Sequence, residues 1–200
     1  MKHKKDVLKT KAFKIGVFGS AEGAVEEILE KAKELGRMLA KQNIIIITGA
    51  CPGVPYAAAN AAAKNGTEVW GFSPEINFEN QKAAYPNNDI TIYKKLIYIP
   101  GKYEFINNPL VTKKYRNVTS TATCDAGIII SGRWGTLNEF TNLFDMGKVI
   151  GVLTGTDGIA DGLEKLSSKI HKPGKAKVIF NSDPQKLVNE VIDALKSKTF

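Results

Sequence analysis

Cysteine, histidine and long apolar runs are all scarce in this chain, and each scarcity removes a class of function. Cys51 and Cys124 are the only cysteines in 200 residues. Two are too few for a disulfide framework, and no CxxC pair or His/Cys cluster has zinc-binding spacing. Both thiols read as small packing residues. His3 lies among N-terminal lysines and His171 beside Lys172-Pro173-Gly174, so neither has the setting of a catalytic base or metal ligand. No apolar run approaches the ~20 residues that cross a bilayer. No signal-peptide apolar block follows the basic start before Phe13. The expectation is a cytoplasmic protein without a membrane partner. A GxGxxG fingerprint and the Gly-Lys-Ser/Thr of a P-loop are missing too, which disfavours a hydride-transfer enzyme or an ATPase.

The formal net charge of +8 invites a nucleic-acid reading, but its distribution argues against one. Residues 1–14 hold six lysines and one aspartate, leaving +3 for the remaining 186 residues. Residues 1–12 therefore read as a solvated basic arm ahead of one domain over 13–200. A second lysine-rich patch, Lys165 to Lys177, reads as a helix end and a surface loop. Neither patch is interleaved with aromatics as single-strand binding surfaces are, so nucleic acid is not an expected partner.

What the chain does have is alternation. Apolar segments at Phe13–Phe18, Ile44–Ile47, Thr67–Phe72, Leu96–Ile99, Ala126–Ile130, Val149–Leu153 and Ala176–Phe180 read as strands. Helical spacing predicts an amphipathic helix over 24–41; 56–64 reads as an alanine-rich helix, 105–124 as weakly helical, 136–146 as a helix, and a last one runs from Pro184, capped by Asp183. Residues 73–92 lack periodicity and read as a long loop of functional or mobile character. Helices alternating with buried strands, joined by right-handed crossovers, give an α/β fold. The expected architecture is a single doubly wound, mostly parallel Rossmann-like sheet of about seven strands with helices on both faces.

Ligands of such sheets bind at the carboxyl ends of the strands, where strand order reverses. Three strand-end turns here are rich in small residues: Gly19-Ser20-Ala21, Gly49 to Gly53, and Gly132 to Thr136. The third follows the apolar run Ala126–Ile130 and precedes a helix. Its backbone N–H groups have no intrahelical partner and sit at the positive end of the helix dipole, which makes an anion site. Thr136-x-x-Glu139 is at the same time a capping box by spacing. Gly132, Gly135 and Arg116 are, on spacing alone, equally readable as turn and helix-surface residues.

Arg116-Asn117 followed by Asp125-Ala126-Gly127-Ile128-Ile129-Ile130-Ser131-Gly132-Arg133-Trp134-Gly135-Thr136-Leu137-Asn138-Glu139 resembles the signature of the Lonely Guy-like superfamily. That superfamily was long labelled "possible lysine decarboxylase" and includes cytokinin-activating phosphoribohydrolases. Its pattern is an arginine helix, an Asp-led strand, then Pro-Gly-Gly-x-Gly-Thr-x-x-Glu. Gly19-Ser20 and the Gly49…Gly53 turn match in order, and the resemblance covers about residues 13–155. It implies a nucleoside 5′-monophosphate whose phosphate sits on Gly132, Arg133, Trp134, Gly135 and Thr136. Glu139 and Arg116 would then flank the ribose and the glycosidic bond. Hydrolysis to free base and ribose 5-phosphate is the implied reaction, with no metal or redox cofactor, in a homodimer whose arginine helix lies near the subunit contact. In two places the chain departs from the pattern. Ser131 stands where the pattern has proline, and Arg133 stands at its second glycine. Arg133 either adds a phosphate contact or crowds the turn if φ > 0 is required there. This version looks closer to the branch that includes molybdenum-cofactor carrier proteins, where binding of a phosphorylated cofactor is the implied role.

Overall fold

The computed structural model describes residues 12–170 and 174–198. All but the last residue of the basic arm, with His3, and His171 to Pro173 lie outside the described residues. The apolar runs become strands because each can be buried on both faces; all five residues of Ala126–Ile130 are buried, as are all five of Val149–Leu153. The strands are β1 (Phe13–Gly19), β2 (Ile44–Thr48), β3 (Glu68–Phe72), β4 (Lys95–Ile97), β5 (Ala126–Ile130), β6 (Val149–Leu153) and β7 (Lys177–Asn181). They form one seven-stranded sheet in the order β4-β3-β2-β1-β5-β6-β7. Every pairing in it is parallel, with Ile15 of β1 opposite Ile46 of β2 on one side and Ala126 of β5 on the other.

Helices cover both faces. Side chains of α1 (Glu26–Leu39), α2 (Val54–Ala63) and α7 (Pro184–Lys198) build one core with Ile15, Val17, Ile46 and Ile128. On the other face α5 (Trp134–Asp145) and α6 (Gly158–Lys169) pack on Phe18, Ile47 and Ile129. The remaining long helix, α4 (Pro109–Thr123), lies beside α5. Its start is specified locally: Asn108 accepts from the N–H groups of Leu110 and Val111, and Pro109 needs no donor there. Asp183 does the same for α7 by accepting from Lys186 N at 2.9 Å.

Several element ends shift by one to four residues from expectation, and three differences stand out. Residues 73–92 are not an unstructured loop but carry α3 (Phe78–Ala84) and a 3₁₀ turn at Ile90–Ile92. Periodicity is uninformative for α3 because Gln81 is its only buried residue. β4 pairs over Lys95–Ile97, one residue earlier at its start than the apolar count indicates. α5 begins at Trp134 rather than Thr136, which decides the fate of the capping box described below. Among the described residues no helix is long and apolar enough to cross a membrane.

The strand order positions the site. From β1 the chain moves outward through β2, β3 and β4, then returns to lay β5 on the other side of β1. The carboxyl ends of β2, β1 and β5 are therefore adjacent at the reversal point, and the three small-residue turns open side by side there.

Candidate functional site

A cleft of about 660 Å³ opens over those three turns. Of the sequence candidates, Gly19, Ser20, Gly49, Arg116, Arg133, Gly135, Thr136 and Glu139 line it. Gly53, Gly132 and Trp134 do not. Gly53 lies behind the wall with φ 78°, close against the Ser20 carbonyl. The Trp134 ring is 82% exposed and faces out, so its side chain is not part of the cleft wall. Its backbone N–H lies in the first turn of α5.

Glu139 is 5% exposed, and its Oε1 lies 3.5 Å from Arg116 Nη1. Because α5 starts at Trp134, Thr136 is already inside the first turn and Glu139 is a turn beyond it. The Thr136–Glu139 pair therefore makes no capping box, and the N-cap residue, Arg133, contributes no side-chain cap either. Trp134, Gly135 and Thr136 keep N–H groups without intrahelical acceptors. Burial pushes the Glu139 carboxyl up to about 7, against the opposing pull of Arg116 and Lys114. Asn117, with its amide turned so that nitrogen faces the carboxylate, donates to Glu139 Oε1 at 3.2 Å and to the Lys113 carbonyl at 3.1 Å.

Arg116 is held by shape. Its guanidinium lies against the Gly49 backbone, where a Cβ would stand 1.4 Å from Nη1. Only glycine leaves that space. Arg116 Nε is buried without a hydrogen-bond partner among the described residues, so the guanidinium retains unused donor capacity beside the cleft.

The turn after β5 explains both departures from the motif. Ser131 adopts φ 52°, a left-handed conformation closed to proline, whose ring holds φ near −65°. Ser131 N–H donates to Thr156 Oγ1 at 2.8 Å, its hydroxyl shares a 3.2 Å hydrogen bond with Ser20 Oγ, and Gly132 N–H donates to Ser20 Oγ at 3.0 Å. The Ser131 and Gly132 carbonyls turn away from the cleft and accept from Ala160 and Ile159, which caps α6. Arg133 has φ −127°, ordinary extended backbone, so it does not crowd the turn. Its guanidinium reaches Glu22 at 3.7 Å across the cleft mouth, both side chains well exposed.

Sequence reasoning missed several wall residues. Lys113 and Lys114 add positive charge from α4, and Tyr85 and Cys51 come from the other side. Burial raises the Cys51 thiol above its usual range, which fits a packing role better than a nucleophilic one. The lysines were findable, lying on the turn of helix before Arg116. Tyr85 belongs to a segment without pattern and had no signal. Among the described residues no group of three His, Cys, Asp or Glu side chains converges to hold a metal ion.

Residues 12–188 match the SLOG cluster4 family. The chain belongs to that family. Its Rossmann-like fold agrees with the Lonely Guy-like resemblance and the carrier-protein branch. Three solved structures are similar to this SLOG cluster4 protein. TM1055, a structural-genomics target, has a TM-score of 0.70 at 19% identity, over 90% of this chain and 99% of that one. The molybdenum cofactor binding protein of the phototrophic bacterium Rippkaea orientalis has 0.66 at 21%, over 93% and 98%. DNA processing protein A of Streptococcus pneumoniae has 0.66 at 19%, over 90% of this chain and 62% of its own length. At such identities the likeness is one of fold. No curated protein matches the chain.

Proposed function

We propose that the cleft binds a phosphorylated nucleotide, a nucleoside 5′-monophosphate, and hydrolyses its N-glycosidic bond to free base and ribose 5-phosphate. The observation that carries this reading is the buried Glu139–Arg116 pair beneath an open helix N-terminus. The N–H groups of Trp134, Gly135 and Thr136, with the Arg133 guanidinium, offer the phosphate donors and positive charge. The ribose then lies over Glu139 and Arg116. As the bond to the base lengthens, positive charge develops on the sugar, and an ionised Glu139 stabilises it while orienting a water toward C1′. Water oxygen bonds to C1′, the glycosidic pair leaves with the base, and the proton that the water gives up ends on the base. Arg116 remains charged throughout and acts by positioning the ligand and by keeping Glu139 partly ionised near neutrality.

Turnover by this route rises with pH to a plateau above about 7, because the carboxylate is the working form. The test is incubation of the purified protein with a panel of nucleoside 5′-monophosphates and chromatography of the products, with Glu139→Gln as control. Base release confined to the unsubstituted protein supports the hydrolase; release equal to the control removes it.

A second reading, a carrier that binds a phosphorylated cofactor without turnover, draws support from the turn itself. The Ser131 and Gly132 N–H groups are already engaged by Thr156 and Ser20. Fewer donors are then left for charge that develops only in a transition state. The similar R. orientalis structure is described as a molybdenum cofactor binding protein. A ligand that copurifies intact, with no base released from any nucleotide, would favour this reading.

A further inference from the structure

The segment between β3 and α4 brings to the cleft a residue that phosphate and ribose do not use. Tyr85 follows α3 directly and lines the same cleft as Arg116 and Thr136. Its backbone is tied on both sides: its N–H donates to the Gln81 carbonyl at 3.2 Å, and its own carbonyl accepts from Asn88 at 3.1 Å.

The holder is Gln81. This side chain is fully buried at 0% exposure, although the other six residues of α3 are exposed. Its Oε1 accepts from Ser73 Oγ at 2.5 Å, and its Nε2 donates to the Ala50 carbonyl at 2.7 Å. Ser73 Oγ in turn accepts from Glu75 N–H at 2.9 Å. A seven-residue helix is too short to be stable by itself and here has almost no apolar face. One buried amide pins it to the turn after β2, and the result is an aromatic side chain lining the cleft that Pro52 and Leu110 also line.

Resting on the nucleotide reading above, we propose that Tyr85 is the base-recognition residue, its ring stacking on the heterocycle of a nucleotide whose phosphate lies on the turn before α5. The phosphate and sugar have partners in Thr136, Arg133, Glu139 and Arg116, and the base has its partner in Tyr85. Burial raises the phenol above its usual range, so the ring is neutral near pH 7 and does not repel an anionic ligand. Stacking accepts any base, so Tyr85 selects for the presence of an aromatic heterocycle rather than for its identity.

Calorimetric titration of adenosine 5′-monophosphate and of ribose 5-phosphate, which keeps the phosphate and sugar without the base, separates this role from a structural one. Tyr85→Ala is expected to weaken the nucleotide by roughly tenfold or more and leave ribose 5-phosphate within about twofold. Tyr85→Phe restores the nucleotide affinity. Equal weakening of both ligands by Tyr85→Ala, or an unchanged nucleotide affinity, overturns the assignment while the nucleotide reading stands. An unsubstituted protein that binds neither ligand overturns both.

Discussion

The turns after β2 and after β5 face each other across one cleft and solve the same steric problem differently. Each holds a left-handed residue that is not glycine, Ala50 at φ 50° and Ser131 at φ 52°. Such residues cost of order 1 kcal/mol or more and persist only where surroundings over-determine them. At Ser131 the restraint comes from backbone and hydroxyl groups of neighbouring strand-end loops: Ser20, Thr156 and the start of α6. At Ala50 it comes from two side chains: Thr48 Oγ1 accepts from the Ala50 N–H at 3.1 Å, and Gln81, on a helix that is otherwise exposed, donates to the Ala50 carbonyl. The first turn is thus built into the carboxyl end of the sheet and presents helix N–H groups. The second depends on an added segment and presents, at Gly49, the bare backbone on which Arg116 lies. A wall of helix N–H groups therefore faces a wall whose shape is set in part by the chain between β3 and β4.

Ser131→Pro, which restores the residue of the resembled motif, should break the comparison most severely. Proline cannot take φ 52° and removes the donor to Thr156, so the stability loss is expected at about 3 kcal/mol or more, read from the denaturant midpoint. A variant as stable as the unsubstituted protein would mean that the turn is not left-handed.

The Glu139–Arg116 pair bridges the two turns, and its pH dependence should be nearly as large. Burial pushes the Glu139 carboxyl up to about 7 in the folded protein from an ordinary value of 4.5, so the folded protein holds the proton more tightly between those values. Its contribution is then fully present below about 4.5 and falls as pH rises to about 7. The total is about 3 kcal/mol relative to Glu139→Gln, which lacks the titration. Unfolding curves of the two proteins at several pH values measure it; parallel curves would deny the buried, protonated carboxyl.

A matched pair of clamp removals sharpens the contrast. Thr156→Val orphans the Ser131 N–H, and Gln81→Leu orphans the Ala50 carbonyl, each with an expected cost of about 1–3 kcal/mol. The distinguishing measurement is hydrogen exchange. Gln81→Leu should speed exchange across 78–88 only, whereas Thr156→Val should loosen the starts of both α5 and α6. Exchange confined to one loop in both variants would erase the difference between the turns. Least of all is expected from Ala50→Gly, which relieves the left-handed strain but gives up a buried methyl. Its stability should stay within about 1 kcal/mol of the starting protein.

Much of this fold was legible because its central strands are short, almost wholly apolar runs that end in small-residue turns, as at Ala126–Ile130 before Ser131-Gly132. A strand buried on both faces needs no partner information to be recognised. The site was legible only in part. Thr136 and Glu139 are spaced alike for a cap and for a helix interior, and the difference lies in where α5 starts. That start depends on Arg133 adopting extended backbone after two residues held by Ser20 and Thr156, which stand 111 and 25 residues away in the chain. Gln81 had no local signature either, since its acceptor at Ala50 is 31 residues upstream and its helix lacks periodicity. Trp134 looked like part of the motif and points away from the cleft.

Local chemistry by itself determined the strand–helix alternation and the small-residue turns at three strand ends, because hydrophobic period and turn residues act over a few positions. Tertiary structure alone decided which of those turns' donors remain free, that Arg116 lies on Gly49 opposite Glu139, and that Tyr85 stands at the cleft. Those outcomes depend on contacts between residues tens of positions apart. Backbone strain, burial and charge pairing there are set by what the fold brings together, and no window of neighbouring residues contains them.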